Sequence, residues 1–295
     1  MVGNPGFVEL GQRLGKDTLF SYINKFGFGK KTGIDLNGEA NGILFPLSKV
    51  GPVELATTAF GQGVSVTPIQ QITAVSAAIN GGKLVTPYIV KSFMEPETNA
   101  IVEERSPKMG NQVISEDTSE KVRYALEHVV SLGSGRNAYI DGYRVGGKTG
   151  TAQKVKNGAY MVGNYIVSFI GFMPADDPEI ILYVAVDNPK GVVQYGGTVA
   201  APIARNILMD AIDILGMEKS DTQIEKEYNW NDKKYYEVPD VTGLTVKEAQ
   251  EKLEHFQVEY SGTGKTVTEQ SPEAGERILE GEKVRLLLIE WFNII

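Results

Sequence analysis

The chain of 295 residues is 42% hydrophobic and 22% charged, a globular balance, and its length favours about two domains. A formal net charge of −8 and a pI near 5.0 argue against a nucleic-acid partner. Without cysteine there is no disulfide or thiol chemistry, and two histidines, His128 and His255, exclude a His-rich metal site, so no metal and no cofactor is expected.

No run of about 18 apolar residues exists to span a membrane. The opening Met1-Val2-Gly3-Asn4-Pro5 has neither the basic start nor the apolar stretch of a signal peptide. A first Lys-Thr-Gly, at Lys31-Thr32-Gly33, sits among glycines and is expected in a turn. Thr67-Pro68-Ile69-Gln70 has the form of a capping box, with Thr67 as N-cap, Pro68 at the first helical position and Gln70 reaching back. Ile69, Ile72, Thr73, Ser76 and Ile79 then recur at helical spacing until Asn80-Gly81-Gly82 stops the helix. A second helix runs from about Glu116 to Leu132, capped by Ser115 and stopped at Gly133. Tyr143-Arg144-Val145 leads into a strand through Gly146-Gly147-Lys148-Thr149-Gly150-Thr151. After a turn at Lys156-Asn157-Gly158, Tyr165 to Met173 and Ile180 to Val186 complete a three-strand meander. A third helix follows Thr198, with Ile203, Ile207, Ala211 and Leu215 along one face until Gly216.

Helices before and after an antiparallel sheet make an α+β layout. Residues 1–217 form this first region, the polar residues 218–235 read as a linker, and 236–290 form a compact unit of their own. His128 and His255 both fall inside amphipathic helical patterns (Val122 to Val130 and Val246 to Phe256), which suits a helix-face residue better than a Ser-His-Asp catalyst.

Lys148 and Thr149 offer a fixed positive charge and a hydroxyl donor on a strand, a pairing suited to the carboxylate at the end of an extended peptide. The flanking glycines suit close approach of such a peptide to the strand edge. An ordinary lysine on a surface strand is the plainer alternative, and the copy at Lys31 shows how little the tripeptide means alone.

Lys-Thr-Gly belongs with Ser-x-x-Lys and a Ser-x-Asn-type element in the penicillin-binding motif set. The segment Thr57 to Gly63, Val66-Thr67-Pro68-Ile69-Gln70-Gln71 with Asn80-Gly81-Gly82, the strand Gly146 to Gln153, Asp187-Asn188-Pro189-Lys190, and Tyr195-Gly196-Gly197 to Ala201-Pro202 together resemble class B penicillin-binding proteins, sporulation-type members above all. Val238-Pro239-Asp240-Val241-Thr242-Gly243-Leu244-Thr245 and Gln270-Ser271-Pro272-Glu273-Ala274-Gly275 resemble a PASTA module. The resemblance implies a partial transpeptidase fold, an antiparallel sheet backed by helices, followed by a small α+β PASTA domain. It also implies two-step acyl transfer on peptidoglycan stem peptides: a serine attacks the penultimate D-Ala carbonyl, D-Ala leaves, and an amine of a second stem peptide resolves the acyl-enzyme. Lys148 and Thr149 would hold the terminal carboxylate, Gly150 would complete the motif, Thr151 N–H would supply half of an oxyanion hole, and Asn4 would be the surviving member of Ser-x-Asn. The family acts at the extracytoplasmic face of the plasma membrane, with a membrane glycan polymerase as a further expected partner.

No serine in the chain is followed by lysine three residues on, and Val2-Gly3-Asn4 puts valine where the serine of Ser-x-Asn is expected. The reading from sequence is therefore a chain begun part-way through a longer protein, without its nucleophile or anchor, and inactive alone. β-Lactams would bind it covalently only if the serine were restored. A non-catalytic, peptidoglycan-binding wall protein is the alternative.

Overall fold

The computed structural model describes residues 3–228 and 233–289, in two compact units that divide between Lys226 and Glu227. In the first, α1 (Asn4–Leu14) and α2 (Lys16–Lys25) lead through an irregular stretch to α3 (Pro52–Ala59) and α4 (Pro68–Ile79). Two small antiparallel pairs follow: β1 (Lys83–Thr86) with β4 (Lys108–Gln112), enclosing β2 (Ser92–Met94) with β3 (Ile101–Glu104). The main sheet lies between α5 (Glu116–Ser131) and α6 (Gly196–Leu215). Its strands β5 (Gly146–Lys156), β6 (Ala159–Met173) and β7 (Ile180–Asp187) run antiparallel in the order β5-β6-β7.

Local chemistry accounts for the boundaries. The Thr67 hydroxyl accepts from Gln70 N–H and the Gln70 side chain accepts from Thr67 N–H, while the Ser115 hydroxyl caps α5 by accepting from Thr118 N–H. The β5–β6 turn places Asn157 at φ 53° and Gly158 at φ 77°, the left-handed pair that a tight hairpin demands. The α+β meander expected from sequence is the one observed.

One helix, α6, buries a different face from the one expected, while on α4 Thr73 and Ile79 are buried as expected and are joined by residues beside them. On α6 the buried stripe is Ala200, Ala201, Ala204, Leu208, Ala211 and Ile212, whereas Ile203, Ile207 and Leu215 are 42%, 44% and 52% exposed. On α4 the buried stripe is Gln70, Thr73, Ala74, Ala77 and Ile79. On α6 alanines dominate the buried face, as suits a helix seated closely on its neighbours. On α6, apolar size alone points to the wrong stripe.

Phe169 and Phe172 on β6 point to opposite faces of the sheet and both are buried. Phe172 packs with Ile79, Ala175, Leu126 and Ile181, which joins α4 and α5 to that face. Arg144, at the entry to β5, donates to both carboxylate oxygens of Glu127 on α5 (3.0 and 2.8 Å) and pairs with Asp176 beyond β6 at 2.9 Å. Glu127 is 2% exposed, so this fork neutralises a buried charge and fixes the strand against the helix. After α6 the chain folds back: Ser220 N–H donates to Gly142 O at 2.8 Å, and the Gln223 amide donates to the carbonyls of Ile140 and Tyr143. Residues 220 and 223 are thus held against the first unit, inside the stretch that composition marks as a linker. Residues 229–232 of that stretch lie outside the described residues.

The second unit pairs β8 (Tyr235–Glu237) with β11 (Arg277–Leu279) and builds a sheet ordered β10-β12-β9 from β9 (Gln257–Gly262), β10 (Glu269–Ser271) and β12 (Lys283–Leu288), with β9 and β12 parallel. Its helix, α7 (Val246–Lys252), closes a core of Val238, Val241, Ala249, Leu253, Val267, Val284, Leu286 and Leu288. The expected helix through Phe256 ends at Lys252, and beyond it the His255 carbonyl accepts from Gly281 N–H. His255 is therefore a turn residue, stacked on Tyr236 with ring centroids 3.7 Å apart. His128 lies on α5 as expected, its Nδ1 within 2.8 Å of Tyr124 O.

Candidate active site

β5 is an edge strand of the main sheet, and Lys148-Thr149-Gly150-Thr151 lies opposite Ile170, Phe169, Ser168 and Val167 of β6. An edge strand leaves one row of backbone N–H and C=O groups free for a further extended chain. Side chains alternate along it, so Thr149 and Thr151 share a face.

Lys148 is half-buried, and its Nζ donates to Thr149 O at 2.7 Å. Among the described residues it forms no ion pair with an acidic side chain. Burial without a partner anion lowers its pKa from the ordinary lysine value. Such a cation is a place where an incoming anion gains more than it would at the open surface.

Two neighbouring elements close round the strand. The Thr149 hydroxyl lies 2.8 Å from that of Ser134, in the loop after α5. Thr151 Oγ1 accepts from Gly196 N–H at 3.3 Å, so the first residue of α6, at the positive end of the helix dipole, abuts the strand. Gly196 and Gly197 make this seating possible. A Cβ on Gly196 would meet Ser168 O at 2.2 Å and Gly150 O at 2.5 Å, and one on Gly197 would meet Ser134 O at 2.2 Å. Asn137 secures the junction by donating its amide to Gly197 O at 2.8 Å.

The glycines ahead of the motif have another role than the one expected. A Cβ on Gly146 would fall 2.3 Å from the Phe172 ring, and one on Gly147 would fall 2.4 Å from that of Phe169. They admit buried aromatic rings of β6, not an approaching peptide. Gly150 likewise makes room for the Ser168 hydroxyl, which its Cβ would meet at 2.4 Å.

Of the residues singled out from sequence, Lys148, Thr149, Gly150 and Thr151 are brought together by β5. Asn4 is exposed at the start of α1, which packs on α2 and α3, where Gly11 sits tightly against Ala59. No hydrogen bond joins Asn4 to the strand among the described residues, and Val2 lies outside them. Sequence reasoning missed Ser134, Asn137 and the Gly196 N–H. The only trace of the first is a small residue between two glycines at the end of α5. The copy at Lys31-Thr32-Gly33 is a loop, as expected, and is already occupied. The Glu39 carboxylate accepts from the Thr32 hydroxyl (2.6 Å), Thr32 N–H (2.5 Å) and Gly33 N–H (3.1 Å).

This arrangement on β5 has known counterparts. Residues 3–209 match the penicillin binding protein transpeptidase domain, and residues 236–289 match the PASTA domain. The chain belongs to the penicillin-binding protein transpeptidase family. It is 62% identical to stage V sporulation protein D of Bacillus subtilis, over 97% of this chain and 44% of that protein. It is 33% identical to the penicillin-binding protein PbpB of Mycolicibacterium smegmatis, over 69% of this chain and 33% of that protein. Among solved structures, penicillin-binding protein 3 of Mycobacterium tuberculosis complexed with ampicillin superposes with a TM-score of 0.68 at 30% identity, covering 77% of this chain and 52% of that one. The chain thus spans less than half the length of these curated relatives. The transpeptidase family comprises membrane-associated cell-wall enzymes. Among the described residues, no helix is long and apolar enough to cross a membrane.

Proposed function

We propose that the β5 strand is the carboxylate cradle of a sporulation-type peptidoglycan D,D-transpeptidase, receiving the terminal carboxylate of a D-Ala-D-Ala stem peptide. The observation that carries this reading is Lys148: a half-buried cation with no acidic partner among the described residues, beside a hydroxyl on an edge strand. The peptide lies along the free edge of β5, with its carboxylate between Lys148 Nζ and the Thr149 hydroxyl. Its scissile carbonyl then falls towards Thr151, whose N–H serves as one of two oxyanion donors. Losing one such donor typically costs about 10²–10³ in rate. Asn4 contributes as the remaining member of Ser-x-Asn.

Acylation needs a serine whose proton a neighbouring base removes. None of the serines here has lysine three positions on, so these residues alone form no acyl-enzyme with substrate or β-lactam. Incubation of the purified chain with a fluorescent penicillin is expected to give no covalent band, and a stable band overturns this part of the reading. Stem-peptide cross-linking belongs on the outer face of the plasma membrane, and a glycan polymerase in that membrane is the partner that supplies its strands.

The same absence favours one alternative, a binding role in which the cradle and the PASTA unit hold peptidoglycan without reaction. Saturable, salt-tolerant retention on purified peptidoglycan by the chain, abolished by Lys148→Gln, supports it. Loss of retention in moderate salt counts against it.

A further inference from the structure

Ser134 and Thr149 form a hydroxyl pair with one proton to spare. Their hydroxyl oxygens are 2.8 Å apart, and either can be the donor. Two hydroxyls carry two protons, and one hydrogen bond between them uses one. Among the described residues neither hydroxyl has another protein partner, so whichever donates, the second proton is left to solvent or to a ligand. Ser134 is exposed and Thr149 half-buried, so this proton is within reach of a ligand on the strand, where the neighbouring residue is Lys148.

The backbone of the loop that carries Ser134 is held by its neighbours. Gly135 N–H donates to Val129 O at 2.9 Å, and Arg136 donates to Gly133 O at 3.0 Å and to Leu132 O at 3.1 Å. A Cβ on Gly133 would meet Val129 O at 2.9 Å, and one on Gly135 would crowd Phe169 at 3.2 Å. Gly197 closes on the Ser134 carbonyl from α6. The backbone fixed this way presents the Ser134 side chain to Thr149 from one position, and a Thr149 hydroxyl held by that bond loses less rotor entropy on binding a ligand than a free one.

We propose that Ser134 is a positioning residue for carboxylate recognition: it donates to Thr149 Oγ1, so that the Thr149 proton is aimed outwards beside Lys148, and the site selects a C-terminal carboxylate over a C-terminal amide. A carboxylate accepts from both the ammonium and the aligned hydroxyl. A terminal amide presents one weaker, neutral acceptor and an NH2 group that finds only donors. This inference rests on the proposed carboxylate cradle.

The test compares the whole chain with Ser134→Ala and Ser134→Thr. Binding of diacetyl-L-Lys-D-Ala-D-Ala and of its C-terminal amide is followed by NMR titration, together with the Thr149 χ1 coupling. Ser134→Ala is expected to weaken acid binding about 3- to 10-fold, the effect of one neutral hydrogen bond. It should also narrow the acid-to-amide ratio by the same factor and let Thr149 χ1 average. Ser134→Thr is expected to restore acid binding to within about twofold, since it returns the hydroxyl donor. Equal acid affinity in wild type and Ser134→Ala overturns the inference while leaving the cradle intact. So does a loss that affects acid and amide equally and is not rescued by threonine, the mark of a merely structural role. If the wild-type chain binds the acid peptide nowhere near Lys148, the cradle itself falls and this inference with it.

Discussion

The chain contains the same tripeptide twice, and the two copies meet different fates. At Lys31-Thr32-Gly33 the hydroxyl and two N–H groups close on the chain's own Glu39 carboxylate. At Lys148-Thr149-Gly150 the strand holds a cation and a hydroxyl with no acidic side chain between them among the described residues. In the loop copy, burial works to raise the Glu39 carboxyl. The hydrogen bonds from Thr32 and Gly33 and the charge of Lys31 outweigh it, and hold the group below the ordinary carboxylate range. In the strand copy, burial acts on the lysine alone and lowers it. The tripeptide suits a carboxylate in both settings, and what differs is whether the fold has already provided one. A motif of this kind marks a ligand site only where its partner is missing from the chain.

The contrast can be broken most severely at the support of the strand copy. Arg144→Met leaves the Glu127 carboxylate buried without its fork, and a broken buried pair costs about 3–5 kcal/mol. Urea unfolding should show a loss of that order, and a loss below about 1 kcal/mol would mean that Glu127 finds other compensation. Next comes ligand binding. Lys148→Gln should weaken diacetyl-L-Lys-D-Ala-D-Ala binding about 10-fold or more, as expected for a charge-assisted hydrogen bond, while Lys31→Gln leaves it unchanged. Equal effects at the two lysines would erase the distinction drawn between the copies.

The loop copy should respond in stability instead. Glu39→Gln is expected to cost about 1–2 kcal/mol at neutral pH, the range for hydrogen bonds to a charged group discounted for partial exposure, with peptide affinity unaltered. The folded-state pKa of Glu39 is depressed, so its contribution is fully present above the unfolded value. It is lost as pH falls through the lower, folded value. The stability gap between wild type and Glu39→Gln should therefore close on acidification below the ordinary glutamate range, and a gap independent of pH would assign it to packing. The smallest effect concerns Lys148. Its depressed pKa means that the ammonium, and with it carboxylate binding, is lost as pH rises at a point below that of an ordinary lysine. A binding profile flat to the normal lysine range would show that the side chain is more hydrated than its burial implies.

How much of this was readable in advance follows from the range of the forces involved. Short-range chemistry was legible: the Thr67 and Ser115 caps, the Asn157-Gly158 turn and the alternation that makes the meander are each decided within a few residues. What depended on a distant partner was not. The close face of α6 is chosen by the space above the sheet, which favours Ala200, Ala201 and Ala204 over Ile203 and Ile207. Gly146 and Gly147 answer to rings on a strand more than 20 residues away, and Ser134 meets Thr149 only because α5, β5 and α6 converge. Gln70 shows both kinds at once. It caps α4 as its spacing predicts, and its amide also reaches across to the carbonyls of Lys30 and Asn41, pinning the loop that carries the occupied copy.

The most direct test of the account is a titration of the isotopically labelled chain with diacetyl-L-Lys-D-Ala-D-Ala, read residue by residue. The open-cradle reading predicts saturable shifts at Lys148 to Thr151, Ser134 and Gly196, none at Thr32 or Gly33, and much weaker shifts with the peptide amide. Shifts of equal size for acid and amide, or an unperturbed β5 strand, would contradict it.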